Sequence, residues 1–246
     1  MSEQKTAVLY RMVMDKHVCP WGLQALALLR HRGYRVDDRW LRTREEIDAF
    51  KAEHGVATTP QVFIDGVRIG GHDDLRRHLG LKVRDPKALT YTPVLVVFAV
   101  AALLAAAASW SASGAILPVK VAEDFIAFSM VILAMLKLRD LDGFVTMFLG
   151  YDLLARRSVT YARIYPFAEL GAGLLMAAGA LTWLSVPVAL VIGGVGAVSV
   201  FKAVYIDRRE LKCACVGGDS NVPLGFVSLT ENLMMIAMAV WMLFAH

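Results

Sequence analysis

Cysteine is scarce: the chain of 246 residues has three, Cys19, Cys213 and Cys215. An odd, sparse set excludes a disulfide framework and leaves reactive thiols or a small metal site. Charge is also thin beyond residue 88. Residues 1–88 hold 16 of the 26 Lys+Arg and 12 of the 22 Asp+Glu, so the net +4 lies wholly in the first third. An excess this small asks for no nucleic-acid partner. An arginine-rich face beside anionic lipid is the simpler use. No long apolar run opens the chain, so no secretory signal is expected. What is plentiful is hydrophobic residues, 57% of the total. That share excludes disorder and an ordinary single soluble domain, and points to one polar part joined to one lipid-embedded part.

In the polar part, residues 6–13 read as a buried strand and 15–22 as a loop entering a helix. Pro20 suits the first helical turn, where its missing N–H is no loss. This helix runs to about Arg32, and Gly33 stops it. Residues 34–41 alternate toward a second strand. Residues 43–54 read as a helix with Thr43 capping, Glu46 in the capping-box position and Gly55 closing it. Residues 61–64, Asp65-Gly66 and 67–69 give strand, tight turn and strand. Residues 70–74 open a last helix ending near Leu79-Gly80. The order is β-α-β-α-β-β-α, a small α/β sandwich, followed by a charged linker.

The rest reads as an all-α transmembrane helical bundle of about five spans: residues 93–112, 125–138, 164–183, 186–206 and 222–244. The first has about 20 residues, enough to cross a bilayer at ~1.5 Å each. With residues 1–88 in the cytosol, Lys137, Arg139, Arg156, Arg157 and Arg163 fall in one inside loop. Arg208, Arg209 and Lys212 fall in the other, and only Lys120 faces out. That asymmetry keeps 125–138 as a crossing despite Glu123 and Asp124 at its start. It sets Cys213 and Cys215 at the cytosolic membrane surface, on the side of Cys19, with the C-terminus outside. A bacterial-type inner membrane is the expected location. The expected domains are 1–82, a linker 83–90, an extra tether helix 91–113 and a four-helix membrane domain 114–246.

Disulfide exchange needs a thiolate. Cys19 sits where a helix begins, so unpaired N–H groups and the helix dipole favour the anion. Lys16 adds positive charge nearby. The amides at Gly71-His72-Asp73 start another helix and make a natural cradle for a carboxylate. Three motifs stand in order: Lys16-x-x-Cys19-Pro20-Trp21, then Thr58-Thr59-Pro60-Gln61-Val62-Phe63-Ile64-Asp65-Gly66, then Gly70-Gly71-His72-Asp73-Asp74-Leu75. Over about 80 residues this resembles a glutaredoxin of the thioredoxin fold. The resemblance implies a cis peptide before Pro60 that aims the Thr59 backbone at a thiol partner. It also implies a glutathione site of Lys16, Trp21, Thr59, Pro60, Gly71, His72, Asp73 and Asp74, with Asp73 taking the amino group. The chain departs from the dithiol pattern at Gly22, which replaces the second cysteine, so Cys19 must be resolved by glutathione or by a distant cysteine. The Cys-Gly-Phe-Ser signature of cluster-carrying monothiol glutaredoxins is absent. The bland alternatives are an inert buried thiol at Cys19 and a plain surface lysine at Lys16. His17 and His72 have no partner cysteines at metal spacing and read as loop residues.

Residues 208–218 carry the second thiol site. Two sulfurs two residues apart meet only if the backbone bends, and the small ring is strained. Such a disulfide is expected to be oxidising and readily reduced. Gly217-Gly218 supplies freedom beside it, and Arg208, Arg209 and Lys212 would favour thiolates. The same pair could hold a soft metal ion such as Cu(I), Zn or Hg(II) with help from a further ligand. The bland alternative is a pair of reduced interfacial cysteines. Glu169, Lys202 and Glu231 stand out within apolar stretches, where charge is costly and usually paired or functional. Lys202 is expected to snorkel to the inner surface. Glu169 reads equally as an interfacial carboxylate, and Glu231 as a contact of Asn232 or another helix. A proton relay for a quinone is an idea that no residue supports. Gly193-Gly194-x-Gly196 reads as close helix packing, and Met234, Met235, Met238 and Met242 as packing or lipid-facing.

Together with Leu136-Lys137-Leu138-Arg139-Asp140, Tyr165-Pro166-x-x-Glu169-Leu170-x-x-Gly173-Leu174 and Glu231-Asn232, the Cys213-Ala214-Cys215 region resembles the methylamine-utilisation MauE and DoxX-like membrane family over residues 121–246. That family is associated with thiol–disulfide chemistry at the membrane. The combined expectation is a membrane-bound thiol–disulfide oxidoreductase in which Cys19, linked to glutathione, exchanges with Cys213 and Cys215. A protein thiol is a further candidate partner. The alternative is a transporter or binding protein for a soft metal ion or small thiol, and a third reading makes the helices merely an anchor.

Overall fold

Five strands form the N-terminal sheet: Thr6–Met14 (β1), His17–Val18 (β2), Arg35–Leu41 (β3), Gln61–Ile64 (β4) and Val67–Gly70 (β5). In this computed structural model, residues 5–15, 17–83, 85, 88–216 and 221–245 are described. The chain falls into two compact units, residues 1–86 and 87–246. In the first, β1 is central, parallel to β3 and antiparallel to β4, while β4 and β5 form a hairpin. Asp65 and Gly66 both have positive φ at its turn, the conformation a tight two-residue loop demands.

Pro20–His31 (α1), Arg44–His54 (α2) and His72–His78 (α3) cover the sheet. Successive residues of β1 point to opposite faces. Ala7 and Leu9 pack on Ala25, Leu26 and Leu29 of α1 and Leu75 of α3. Tyr10 and Met12 face the other way, onto Ile47 and Phe50 of α2. Burying each large aliphatic here contributes ~1.5–3 kcal/mol. Arg11 continues the Ala7–Leu9 face and so points toward α1.

Two expectations are corrected locally. The stretch read as a loop before α1 contains β2, which pairs His17 and Val18 with the end of β1. At α2, Thr43 Oγ1 accepts from Glu46 N at 3.2 Å as expected, but Glu46 Oε2 accepts from Arg42 N rather than completing a box on Thr43.

The second unit is helical: Thr92–Ser113 (α4), Pro118–Arg139 (α5), Leu141–Leu149 (α6), Val159–Ala178 (α7), Thr182–Phe201 (α8) and Phe226–Ala245 (α9). A π-helical turn, Lys202–Ile206, extends α8. The five long helices overlap the five expected spans, but α7 ends at Ala178, five residues before the expected end, α9 begins at Phe226 rather than 222, and α6 is an additional short helix. Among the described residues, Thr92–Ser113, Thr182–Ile206 and Phe226–Phe244 are long and apolar enough to cross a membrane. The helices α5 and α7 are as long but carry charge, some of it buried inside the bundle. Outward faces are apolar: Leu103, Trp183, Val198 and Phe244 are all exposed.

Small residues bring helices together. A Cβ at Gly173 of α7 would come 3.0 Å from Met130 Cβ on α5. One at Gly196 of α8 would collide with the Asn232 carboxamide on α9. Gly193 and Gly196 of α8 thus form a packing seam, as expected, whereas Gly194 faces open space. Met235, Met238 and Met242 are buried in the same core.

Candidate functional site

The first sulfur sits at a junction of three local features. Cys19 is the residue before α1, with Pro20 opening the helix. Its N–H donates to Met12 O of β1 at 3.1 Å, and its carbonyl accepts from Leu23 N. The side chain is a free thiol, 5% exposed. Lys16 lies outside the described residues.

The other expected residues form neighbouring pairs. The Thr59–Pro60 peptide is cis. A Cβ on Gly71 would stand 3.7 Å from Pro60 O, so the loop and the start of α3 adjoin. The rings of Trp21 and His72 lie 5.5 Å apart. His72 Nδ1 is 3.2 Å from Asp73 Oδ1, and His72 is buried while the Asp73 carboxylate is 54% exposed. Asp74 is committed locally: Oδ2 accepts from Gly71 N and Oδ1 from Arg77. The Gly71 amide is therefore taken, which removes one donor from the expected cradle and leaves Asp73 as the open carboxylate.

Gly22 has a steric reason. A Cβ there would lie 2.7 Å from Arg11 Cβ, inside contact distance. Arg11 is held by a two-pronged ion pair, Nε and Nη2 to the Asp38 carboxylate at 2.7 and 2.8 Å. Burial works against the Asp38 carboxylate, but Arg11 and the Trp40 indole hold its pKa below the usual range. The position of a second cysteine is thus filled by the arm of an arginine.

The second sulfur pair lies in the helical unit. Cys213 and Cys215 form a disulfide with Cα atoms 5.3 Å apart. Residues before it pair with residues beyond it: Cys213 N donates to Val222 O, and Leu224 N to Leu211 O. Gly217 and Gly218 lie outside the described residues. The pair expected at the membrane surface is instead buried: Cys213 and Cys215 are 0% and 4% exposed, packed into the helical core. The reason is that this return segment tucks inward between helices instead of riding on their ends. Neighbouring cations are engaged elsewhere. Arg209 donates to Gly150 O and Lys212 to Asn221 Oδ1. Cys213 Sγ accepts instead from Ser228 Oγ at 2.9 Å and from Cys215 N at 3.0 Å.

Beside the disulfide is a buried charge cluster. Lys137 Nζ of α5 lies 2.6 and 2.7 Å from the two Glu169 oxygens on α7, and 2.8 Å from Glu231 Oε1 on α9. The Tyr165 ring lies 5.6 Å from the ammonium. Lys137 is 3% exposed and is no loop charge; Glu169 is fully buried and is no interfacial carboxylate. Lone charges in an apolar interior are stable only when paired, and three helices supply the partners. Lys202 stays apart, pairing with Asp207 on the exposed side. A cavity of about 20 Å³, room for one water-sized molecule, is walled by Lys137, Tyr151, Cys213, Cys215, Ser228 and Glu231 among others. Tyr151 meets the backbone of Ala214, and burial, with Glu231 beside it, pushes its pKa upward, so it is a neutral hydroxyl.

As a metal site the pair is poorly provided. A closed zinc site takes four ligands, and among the described residues no group of three His, Cys, Asp or Glu side chains could hold an ion.

The glutaredoxin family model matches residues 8–69. The model for methylamine utilisation protein MauE matches residues 117–245, more than half of the chain. The chain belongs to the MauE family. Its N-terminal unit is a glutaredoxin domain of thioredoxin-like α/β fold, and the MauE domain with its apolar helices makes it a multi-pass membrane protein. A monothiol glutaredoxin of Caenorhabditis elegans is 36% identical over 72 residues, 26% of this chain and 48% of that protein. Glutaredoxin 1 of Rickettsia typhi is 40% identical over 60 residues, 23% of this chain and 58% of that protein. Hybrid peroxiredoxin hyPrx5 of Haemophilus influenzae is 36% identical over 66 residues, 27% of each chain. The matches thus span from about a quarter to under three-fifths of these relatives' lengths.

Sequence reasoning missed Lys137 and Ser228 as site residues. Each left a signal. Lys137 is a cation set between two leucines, and Ser228 stands three residues before Glu231, on the same face of a helix.

Proposed function

We propose that this MauE-family protein is a membrane-embedded thiol–disulfide oxidoreductase in which the Cys19 sulfur exchanges with the Cys213–Cys215 disulfide and glutathione regenerates Cys19. The observation that carries the reading is a disulfide walled into one small cavity with a buried lysine and carboxylate. A cross-link spanning two residues gains less stability than one closing a long loop, so a purely structural role is a weak reason for it. Opening it puts negative sulfur in a dry interior, where unpaired charge is costly. Ionisable groups on the same wall can hold or move the compensating protons.

On the glutaredoxin side, Trp21, Thr59, Pro60, His72 and Asp73 are the glutathione contacts. Asp73 is the carboxylate free to meet an amino group, because Asp74 is spent on its cap and Arg77. Lys16 is assigned to the thiolate from its motif alone. Both sulfur sites are assigned to the cytosolic side. Removing Lys137 from the loop charges leaves Arg139, Arg156, Arg157 and Arg163 against Lys120, so the positive-inside argument survives. Fusion of the two domains raises the effective concentration of one sulfur at the other to the order of mM.

The test is to oxidise the full-length protein in lipid, add glutathione, and map every mixed disulfide of Cys19. Links from Cys19 to Cys213 or Cys215 support the relay. Links to glutathione alone overturn it.

A further inference from the structure

The two sulfurs of the MauE-domain disulfide are not equivalent. Cys213 Sγ accepts two hydrogen bonds, from Ser228 Oγ at 2.9 Å and from its neighbour's backbone, Cys215 N, at 3.0 Å. Ser228 is buried in α9, where its carbonyl accepts from Asn232 Nδ2 one turn further on at 2.7 Å. Cys213 has no exposed surface, whereas Cys215 retains 4%.

We propose that Cys213 is the leaving sulfur and Cys215 the attacked sulfur, with Ser228 a catalytic residue that stabilises the departing thiolate. The inference rests on the exchange reading above and deepens it.

In thiol–disulfide exchange, the bond breaks toward the sulfur that better carries negative charge. Donors aimed at that sulfur act where charge develops, which is the logic of an oxyanion hole applied to sulfur. An incoming thiolate bonds to Cys215 Sγ, the bond between the two cysteines breaks, and its electron pair moves to Cys213 Sγ. The product is a mixed disulfide on Cys215 and a Cys213 thiolate, held by the Ser228 hydroxyl and the Cys215 amide until it takes up a proton. A second thiol then attacks the incoming sulfur of the mixed disulfide and frees Cys215. Overall, two thiols are oxidised to one disulfide, one protein disulfide becomes two thiols, and two hydrogens pass from the former to the latter. In reverse, the Cys213 thiolate is the nucleophile, so the assignment holds for either direction of electron flow.

The test uses the oxidised full-length protein in lipid. It is mixed with excess glutathione, quenched in acid at short times, and mapped by peptide mass spectrometry. The expected early species carries Cys19 on Cys215, with Cys213 unmodified; glutathione on Cys215 in its place keeps the assignment of the two sulfurs and overturns the relay. Ser228→Ala should slow opening by about tenfold or more, since a hydrogen bond to a charged group is lost, and should erode the preference for Cys215. Ser228→Thr, which keeps the hydroxyl, should restore both. A merely structural serine would not change which sulfur is linked. Linkage through Cys213 in the wild-type protein overturns the assignment and leaves exchange intact. A disulfide that never opens, with neither sulfur linked to any thiol, overturns the exchange reading and this inference with it.

Discussion

The two sulfur sites are built by opposite means. At Cys19 the apparatus is local: the end of β1, Pro20 and the start of α1 lie within a few residues. At Cys213–Cys215 the walls come from α5, α6 and the segment after it, α7, α8 and α9. A local site presents its sulfur through backbone geometry. An assembled site surrounds its sulfurs with side chains whose positions depend on several helices at once. If the two are halves of one relay, removing sulfur from either should cost the same. Cys19→Ser and Cys215→Ser are each expected to lower glutathione-driven exchange by more than about 10³-fold, as loss of a nucleophile or its target does. The rate of glutathione oxidation by the full-length protein measures it. Full activity in Cys215→Ser would split the comparison into two independent functions.

The assembled site should also be the more fragile. Lys137→Met leaves Glu169 and Glu231 facing each other without their cation. Breaking a buried ion pair costs ~3–5 kcal/mol, which thermal unfolding in detergent should register as a large drop. Replacing all three groups with apolar residues should recover much of that stability without recovering exchange. Recovery of both would mean that the cluster serves packing alone.

The same contrast explains what was legible beforehand. The hairpin at Asp65-Gly66, the cap at Thr43 and the start of α1 at Pro20 are decided by neighbours in sequence, and they were readable. So was the glycine seam of α8, because small residues at helical spacing have one main use between helices. Lys137 was not readable as a cluster member. Its two carboxylates are 32 and 94 residues away, and nothing local says that a lysine near a helix end turns inward. The burial of Cys213 and Cys215 is hidden from the sequence for the same reason: a polar-looking segment between spans reads as surface, whereas its pairing with residues 222–224 accompanies its place in the core. The expected thiolate-favouring role of Arg208, Arg209 and Lys212 rests on nearness in sequence, and local pattern does not foretell that Arg209 and Lys212 bond elsewhere.

Glycines in the two domains offer a smaller contrast. Gly22 has no room for a Cβ, since the nearest atom is the fixed Cβ of Arg11 and no flexible tip can yield. Gly22→Ala should therefore destabilise the glutaredoxin domain by ~1–3 kcal/mol through overpacking. Gly22→Cys should suffer at least as much, so a dithiol is not restored by one substitution. Gly171 of α7 faces open space, and Gly171→Ala should be neutral or stabilising by up to ~1 kcal/mol, because alanine is the better helix former. Hydrogen exchange in α1 and α7 of the two variants reads both. Tolerance of Gly22→Ala would mean that Arg11 shifts freely and that the missing second cysteine is no consequence of packing.

The smallest effect concerns the ion pairs that hold each site. In the glutaredoxin domain, Arg11 depresses the pKa of a single carboxylate, Asp38. A carboxylate whose folded pKa lies below its unfolded value, ~3.9 for aspartate, stabilises the fold fully above that unfolded value. The contribution drains away as pH falls through the lower folded value. Protection of β1 and β3 amides in the wild-type chain should therefore fall on acidification below ~4, once corrected for intrinsic exchange. In Asp38→Asn that acid-dependent portion should be missing, and the two proteins should converge at low pH. Asp38 lies at the partly open edge of the sheet with a side chain 16% exposed, so the difference is a modest one. If wild type and variant instead keep the same difference at every pH, Arg11 is anchored by the Trp40 ring, whose centroid lies 5.6 Å from its guanidinium, rather than by the carboxylate. The arm that closes the second-cysteine position would then be held by ring contact, and Gly22 would be shaped by an aromatic neighbour instead of a charge.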